Sequence, residues 1–167
     1  MDLKPSSGSR QRLPAGFLKK SAHLIAFGFG IGFVRIAPGT FGTLIGVGLY
    51  LGMVQLPLPW YGGTVILLFL LGIIVCGRTT AALGVHDHPS IVWDEVVGYL
   101  ITMTAVPPRW IWVAVGFALF RIFDILKPWP VRAIDRHVGG GLGIMLDDAL
   151  AGAYASIGVQ TAMFLTQ

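Results

Sequence analysis

Between Phe120 and Gly152 the chain reads FRIFDILKPWPVRAIDRHVGGGLGIMLDDALAG, which sets Asp124, Asp135, Asp147 and Asp148 among Arg121, Lys127, Arg132 and Arg136 in otherwise apolar surroundings. A charge beside hydrocarbon is expensive, so a group of this size must face water, its own counter-charges, a metal or an ionic substrate. Carboxylates next to cations fit divalent-metal chemistry on a phosphate. Hard oxygens hold Mg²⁺, while guanidinium and ammonium groups hold phosphoryl oxygens. A second acidic pair stands earlier, in Ile91-Val92-Trp93-Asp94-Glu95-Val96-Val97-Gly98, and echoes the run from Ile144 to Gly152. In both, adjacent acids follow an isoleucine by three residues and a glycine comes within about a turn. On a helix Asp94 and Gly98 share a face, as do Asp148 and Gly152. Small residues there let two helices approach closely.

Opposed carboxylate pairs repel unless cations lie between them. Asp94, Glu95, Asp147 and Asp148 are therefore the candidate metal ligands, and Asp94, Asp124 and Asp148 the candidate catalytic acids. The plainer alternative, acids favoured at helix N-termini, explains one acid per helix better than two pairs. Arg121 lies three residues before Asp124 and can face the same side of a helix. Arg121, Lys127 and Arg132 are candidate phosphate contacts, with arginine the better bidentate partner; the competing role for such cations is anchoring to anionic headgroups. Asp135 can equally pair with Arg132 or Arg136 and do nothing else. Pro38-Gly39-Thr40-Phe41-Gly42-Thr43 is a turn whose hydroxyls either cap a helix or, through Thr40, touch an anion. Gly139-Gly140-Gly141-Leu142-Gly143 resembles a phosphate-cradling turn, yet no Gly-Lys-Ser/Thr follows, so it is not a P-loop. His86-Asp87-His88 lacks the cysteines or third ligand of a zinc site and reads as a solvated loop or a general acid–base element. The single cysteine, Cys76, sits in the apolar run LLGIIVCG and reads as a buried, inert thiol.

The elements that must position these residues are apolar. Of 167 residues 54% are hydrophobic and 12% charged, against roughly 25% charged in ordinary soluble domains, and the mean hydropathy is +0.75. No acidic residue occurs between Asp2 and Asp87, while Lys4, Arg10, Arg12, Lys19 and Lys20 crowd the start. A basic arm ahead of apolar segments marks the cytoplasmic side of a membrane protein rather than a nucleic-acid tail. The reading is an all-α, membrane-embedded helical bundle. Residues 1–21 form a basic, flexible arm, and residues 22–167 a single helical domain with four to five membrane-associated helices. Crossings at about 38–56, 60–77, 93–106, 110–123 and 148–166, starting from a cytoplasmic N-terminus, leave every charged residue except Arg109 on or near the inner face. The rival of a soluble protein with apolar core helices fits the composition less well. An ion-relay transporter would place its acids near mid-membrane, and a CDP-alcohol phosphotransferase would carry an Asp-Gly…Ala-Arg pattern that is not found.

Taken together, IAPGTFGTL (Ile36–Leu44), HDHPSIVWDEVVG (His86–Gly98), FRIFDILKPWP (Phe120–Pro130) and GGLGIMLDDALAG (Gly140–Gly152) resemble the bacterial phosphatidylglycerophosphatase A family, in family order and over most of Gly28 to Gly152. The resemblance implies a Mg²⁺-dependent phosphatase of the bacterial inner membrane. Its active site would face the cytoplasm, amid anionic membrane lipid, and convert phosphatidylglycerophosphate to phosphatidylglycerol and inorganic phosphate. It also implies a multihelical fold whose helices need not all span the bilayer.

Overall fold

The computed structural model describes residues 21–84 and 88–166, except the side chains of Asp135 and Arg136. The basic arm up to residue 20, and His86 with Asp87, lie outside the described residues. Among the described residues all regular structure is helical: α1 (Ser21–Ala26), a 3₁₀ segment (Gly28–Phe33), α2 (Pro38–Met53), α3 (Leu58–Leu83), α4 (Trp93–Thr102), α5 (Trp110–Leu126), α6 (Val131–His137) and α7 (Gly140–Leu165).

The boundaries follow from local chemistry. Pro38 opens α2, where its fixed φ suits the first turn and its missing N–H is not needed. Gly84, at φ 65°, closes α3 in the left-handed conformation usual after a helix end. Pro128 stops α5 and Lys127 takes up a left-handed conformation (φ 44°, ψ 63°), which is uncommon for a residue with a Cβ.

Two helices, α3 and α7, each of 26 residues, are long and apolar enough to cross a membrane. With 16 and 17 residues, α2 and α5 reach about 24–26 Å, somewhat short of a hydrocarbon core of roughly 30 Å. Exposed Ile66, Leu67, Leu70 and Ile74 on α3, and Ile111 and Ile122 on α5, give the bundle an apolar exterior.

The expected crossing at 93–106 is not one continuous helix. α4 has ten residues, about 15 Å, and lies inside the bundle with Trp93, Val96, Val97, Tyr99, Leu100 and Thr102 buried. The chain leaves helical geometry at Met103, turns through Ala105 at φ 59°, and reaches Pro107-Pro108. Backbone carbonyls freed in apolar surroundings must find other donors. Tyr61 Oη donates to the Leu100 carbonyl at 2.7 Å, Tyr50 Oη to that of Val106 at 2.7 Å, and Gln160 Nε2 to that of Thr104 at 3.0 Å.

α4 packs along α7 at the expected glycines. A Cβ on Gly152 would stand 2.4 Å from the Gly98 carbonyl oxygen, and one on Gly98 2.9 Å from the Asp148 carbonyl oxygen, so neither position tolerates a side chain at this spacing. Gly141 plays the same part for α3: its Cβ would fall 2.0 Å from the Ile73 carbonyl oxygen. Part of the Gly139–Gly143 run thus serves helix approach. The close crossing matters because it carries Asp147 and Asp148 of α7 up to Asp94 and Glu95 of α4.

Candidate active site

At one end of the bundle α2 and α4 begin, α5 ends, and α7 passes with its eighth and ninth residues. These elements enclose a cavity of about 250 Å³. α2 contributes Ala37, Pro38 and Gly39; the loop before α4 gives His88, Pro89 and Ile91. Asp94 and Glu95 come from the first turn of α4, where the helix dipole favours negative charge. α5 adds Arg121, Asp124 and Lys127, and α7 adds Asp147 and Asp148. Dipole placement accounts for the α4 pair, but Asp147 and Asp148 lie two turns inside their helix and have no such reason to be there.

One oxygen each from Asp94, Glu95 and Asp148 lies within 4.8 Å of the others, a donor set of metal-site dimensions. Glu95 Oε2 and Asp148 Oδ2 are buried with no hydrogen-bond partner, an arrangement that buried carboxylates avoid unless a cation or bound water serves them. Burial above all, with the charge of Asp148 next, pushes the Glu95 carboxyl up to about 8, against the opposing pull of a hydrogen bond with Asp94 and the charge of Arg121.

The cations are fixed by the remaining acids. Arg121 Nη1 donates to Asp124 Oδ2 at 2.5 Å and stands 3.9 Å from Glu95 Oε1, with its Nε buried and unbonded. Lys127, turned by its left-handed backbone, donates from Nζ to Asp147 Oδ2 at 2.5 Å, and Asp147 Oδ1 accepts the backbone N–H of Asp148 at 3.0 Å. The cavity wall thus carries five carboxylates against Arg121 and Lys127, a net charge of −3 were all ionised. A divalent cation and its hydration fit that excess; a bare anion does not.

The structure brings together seven of the nine candidates named from sequence: Asp94, Glu95, Arg121, Asp124, Lys127, Asp147 and Asp148. Within the carboxylates it divides the labour, grouping Asp148 with Asp94 and Glu95, and Asp147 with Lys127. Thr40 is half-buried on α2 and Arg132 exposed on α6, and neither is among the residues lining the cavity. Cys76 is fully buried in the core and likewise outside the lining.

Sequence reasoning missed Gly39 and left His88 undecided. A Cβ on Gly39 would stand 2.2 Å from Glu95 Oε1 and 2.9 Å from Arg121 Nη1, so glycine makes room for that pair. Its visible signal was the small-residue spacing Gly39, Gly42, Gly46 along α2. His88 is buried, and its Nδ1 accepts the Ser90 N–H at 3.2 Å, which assigns the proton of a neutral ring to Nε2.

Clustered carboxylates answered by an arginine and a lysine, at one end of an apolar helical bundle, fit the class of helical enzymes that act on phosphate esters. Comparison with known proteins agrees. Residues 24–163 match the sequence profile of phosphatidylglycerophosphatase A. A phosphatidylglycerophosphatase A of Escherichia coli strain K12 is 48% identical over 135 residues, covering 80% of this chain and 78% of its own. One of Haemophilus influenzae is 50% identical over 141 residues, 81% of this chain and 84% of its own. A protein of Bacteroides thetaiotaomicron, provisionally named a phosphatidylinositol-3-phosphatase, is 41% identical over 150 residues, 85% of this chain and 93% of its own. No solved structure matches. The chain belongs to the phosphatidylglycerophosphatase A family.

Proposed function

We propose that this protein is a Mg²⁺-dependent phosphatase that hydrolyses phosphatidylglycerophosphate to phosphatidylglycerol and inorganic phosphate. One catalytic domain over residues 22–167 would sit in the bacterial inner membrane with its cavity on the cytoplasmic side. The reading is carried by one observation: Asp94, Glu95 and Asp148 converge within 4.8 Å, with Glu95 Oε2 and Asp148 Oδ2 buried and unbonded, beside Arg121 and Lys127. Family membership and the names of its relatives supply the lipid substrate. The basic start of the chain and the apolar helices support the orientation.

The donor set is all-oxygen and anionic, which suits Mg²⁺ over softer metals. Asp94, Glu95 and Asp148 would hold the cation, with Asp147 a further candidate if Lys127 releases it. When bound, the cation supplies Lewis acidity toward phosphoryl oxygens and makes water a better nucleophile. Arg121, oriented by Asp124, directs its guanidinium at the equatorial oxygens as charge builds there, and Lys127, held by Asp147, does the same from the other side. The bond from phosphorus to the glycerol oxygen breaks as the oxygen of water bonds to phosphorus; the water gives up a proton and the leaving alkoxide gains one. Carboxylates in the wall relay that proton. Thr40 and Arg132, away from the wall, are assigned to the rest of the headgroup and to neighbouring anionic lipid.

Inorganic phosphate release from phosphatidylglycerophosphate, with phosphatidylinositol 3-phosphate as comparison substrate, tests the reading. EDTA should abolish release and Mg²⁺ restore it; undiminished release in EDTA refutes the metal role, and release from the inositol lipid alone refutes the substrate.

A further inference from the structure

A second cavity, about 350 Å³ and almost wholly apolar, opens on the side of the bundle between α2 and α5, lined by Leu44, Val47, Trp110, Val113, Ala114 and Phe117. Its position relative to the acidic cavity is what gives it meaning. Trp110, Ala114, Phe117 and Arg121 follow one another by four, three and four residues, so they form one stripe along α5 that ends at the acidic cavity. On α2, Thr40, Leu44 and Val47 repeat the pattern from the other direction, one turn beyond Gly39. The two helices run antiparallel here: α2 leaves the charged end as it enters the groove, and α5 passes the groove before it reaches that end. At 1.5 Å per residue the groove begins about 6 Å from Arg121, at Phe117, and extends to about 16 Å, at Trp110.

We infer that this groove binds an acyl chain of the lipid whose terminal phosphate occupies the acidic cavity. The inference rests on the lipid-phosphatase reading and adds where the substrate's hydrocarbon lies. The interval of one to two helical turns between cavity and groove, bordered by Thr40, matches the polar stretch of a headgroup. Among the described residues the wall beyond it has no charged side chain, and Trp110, exposed at the far end, offers an amphipathic ring at the boundary of the bundle. Annular lipid, by contrast, would favour the outer face of α3, where Leu67 and Leu70 are more exposed than Leu44 of the groove.

The experiment compares dioleoyl with dihexanoyl phosphatidylglycerophosphate in mixed micelles, reading the ratio of kcat/KM values. Ala114→Trp, which fills the groove from an exposed position, should lower the long-to-short ratio by about tenfold, the effect of roughly two methylenes losing apolar contact. Leu70→Trp on α3 should leave the ratio as it is. In parallel, unsubstituted protein in phosphatidylcholine vesicles is irradiated with substrate carrying a diazirine at mid-chain. Labels should concentrate on residues 44–47 and 110–117. An unchanged ratio in Ala114→Trp, an equal fall in Leu70→Trp, or labels spread over α3 and α7 would overturn the groove. Absence of phosphate release from either lipid by unsubstituted protein would refute the phosphatase reading instead, while the labelling pattern still decides the groove.

Discussion

At the scale of single residues, the site is a set of partly to fully buried charges in which the cations have defined acidic neighbours. Arg121 is held between Asp124 and Glu95, and Lys127 is tied to Asp147, leaving Asp94, Glu95 and Asp148 to face one another. A buried ion pair is seldom a net gain in stability against apolar residues of the same shape. Such an arrangement is better explained by what it binds than by what it contributes to folding. Gly39 belongs to the same logic, since a methyl group there would press on both Glu95 and Arg121. Gly39→Ala should reduce kcat by about 10–100-fold, as displaced supports of metal ligands typically do, with little change in melting temperature. Near-normal turnover in that variant would mean that the Glu95–Arg121 geometry does not matter to catalysis. The charged residues were legible in sequence because acids and bases are conspicuous in apolar segments. Their pairing was not, since Asp147 and Asp148 are chemically alike and only the rotation of α7 decides which meets Lys127. Thr40 was singled out for its hydroxyl, whereas the wall of the cavity needed its neighbour Gly39 for having no side chain at all.

At the scale of elements, α4 organises the molecule. It is too short to span a bilayer, yet it is the helix that presents Asp94 and Glu95, and its broken end is closed by Tyr50, Tyr61 and Gln160 from three other helices. Hydropathy alone reads 93–106 as one apolar run, because it cannot distinguish residues facing lipid from residues facing protein. Pro107-Pro108 announced the end of the run but not the earlier exit at Met103. The Gly98–Gly152 crossing, by contrast, was readable from the matched spacing of acid and glycine in the two segments. Tyr61→Phe removes the shorter of two side-chain hydrogen bonds to the Leu100 carbonyl, which keeps only the 3.4 Å bond from Thr104 Oγ1, and should destabilise the fold by about 1 kcal/mol, the usual net contribution of one hydrogen bond. Unfolding of purified protein in detergent measures this, and an unchanged midpoint would show that another donor takes over.

At the scale of the whole molecule, an apolar bundle gathers its acidic residues at one end, and that concentration makes stability depend on pH and on cations. Glu95 is raised from an ordinary 4.5 to about 8, chiefly by burial. A carboxyl whose value rises on folding favours the protonated native state, so its contribution is complete below about 4.5 and is lost as pH climbs through about 8. The melting temperature of metal-stripped protein should therefore fall between pH 5 and pH 9, with Mg²⁺ flattening the decline; a rise across that range would contradict the burial of Glu95. The all-helical architecture was legible from composition and the absence of long β-alternation. The number of spanning helices was not, because helix length depends on where the chain stops rather than on how apolar it is.

The central claim is that Asp94, Glu95 and Asp148 jointly hold a divalent cation, and Mn²⁺ binding followed by electron paramagnetic resonance tests it without reference to turnover. Unsubstituted protein should show saturable binding that Mg²⁺ displaces. Folded Asp148→Asn should weaken that binding by about a hundredfold or more. Equal Mn²⁺ affinity in the two proteins would contradict the assignment.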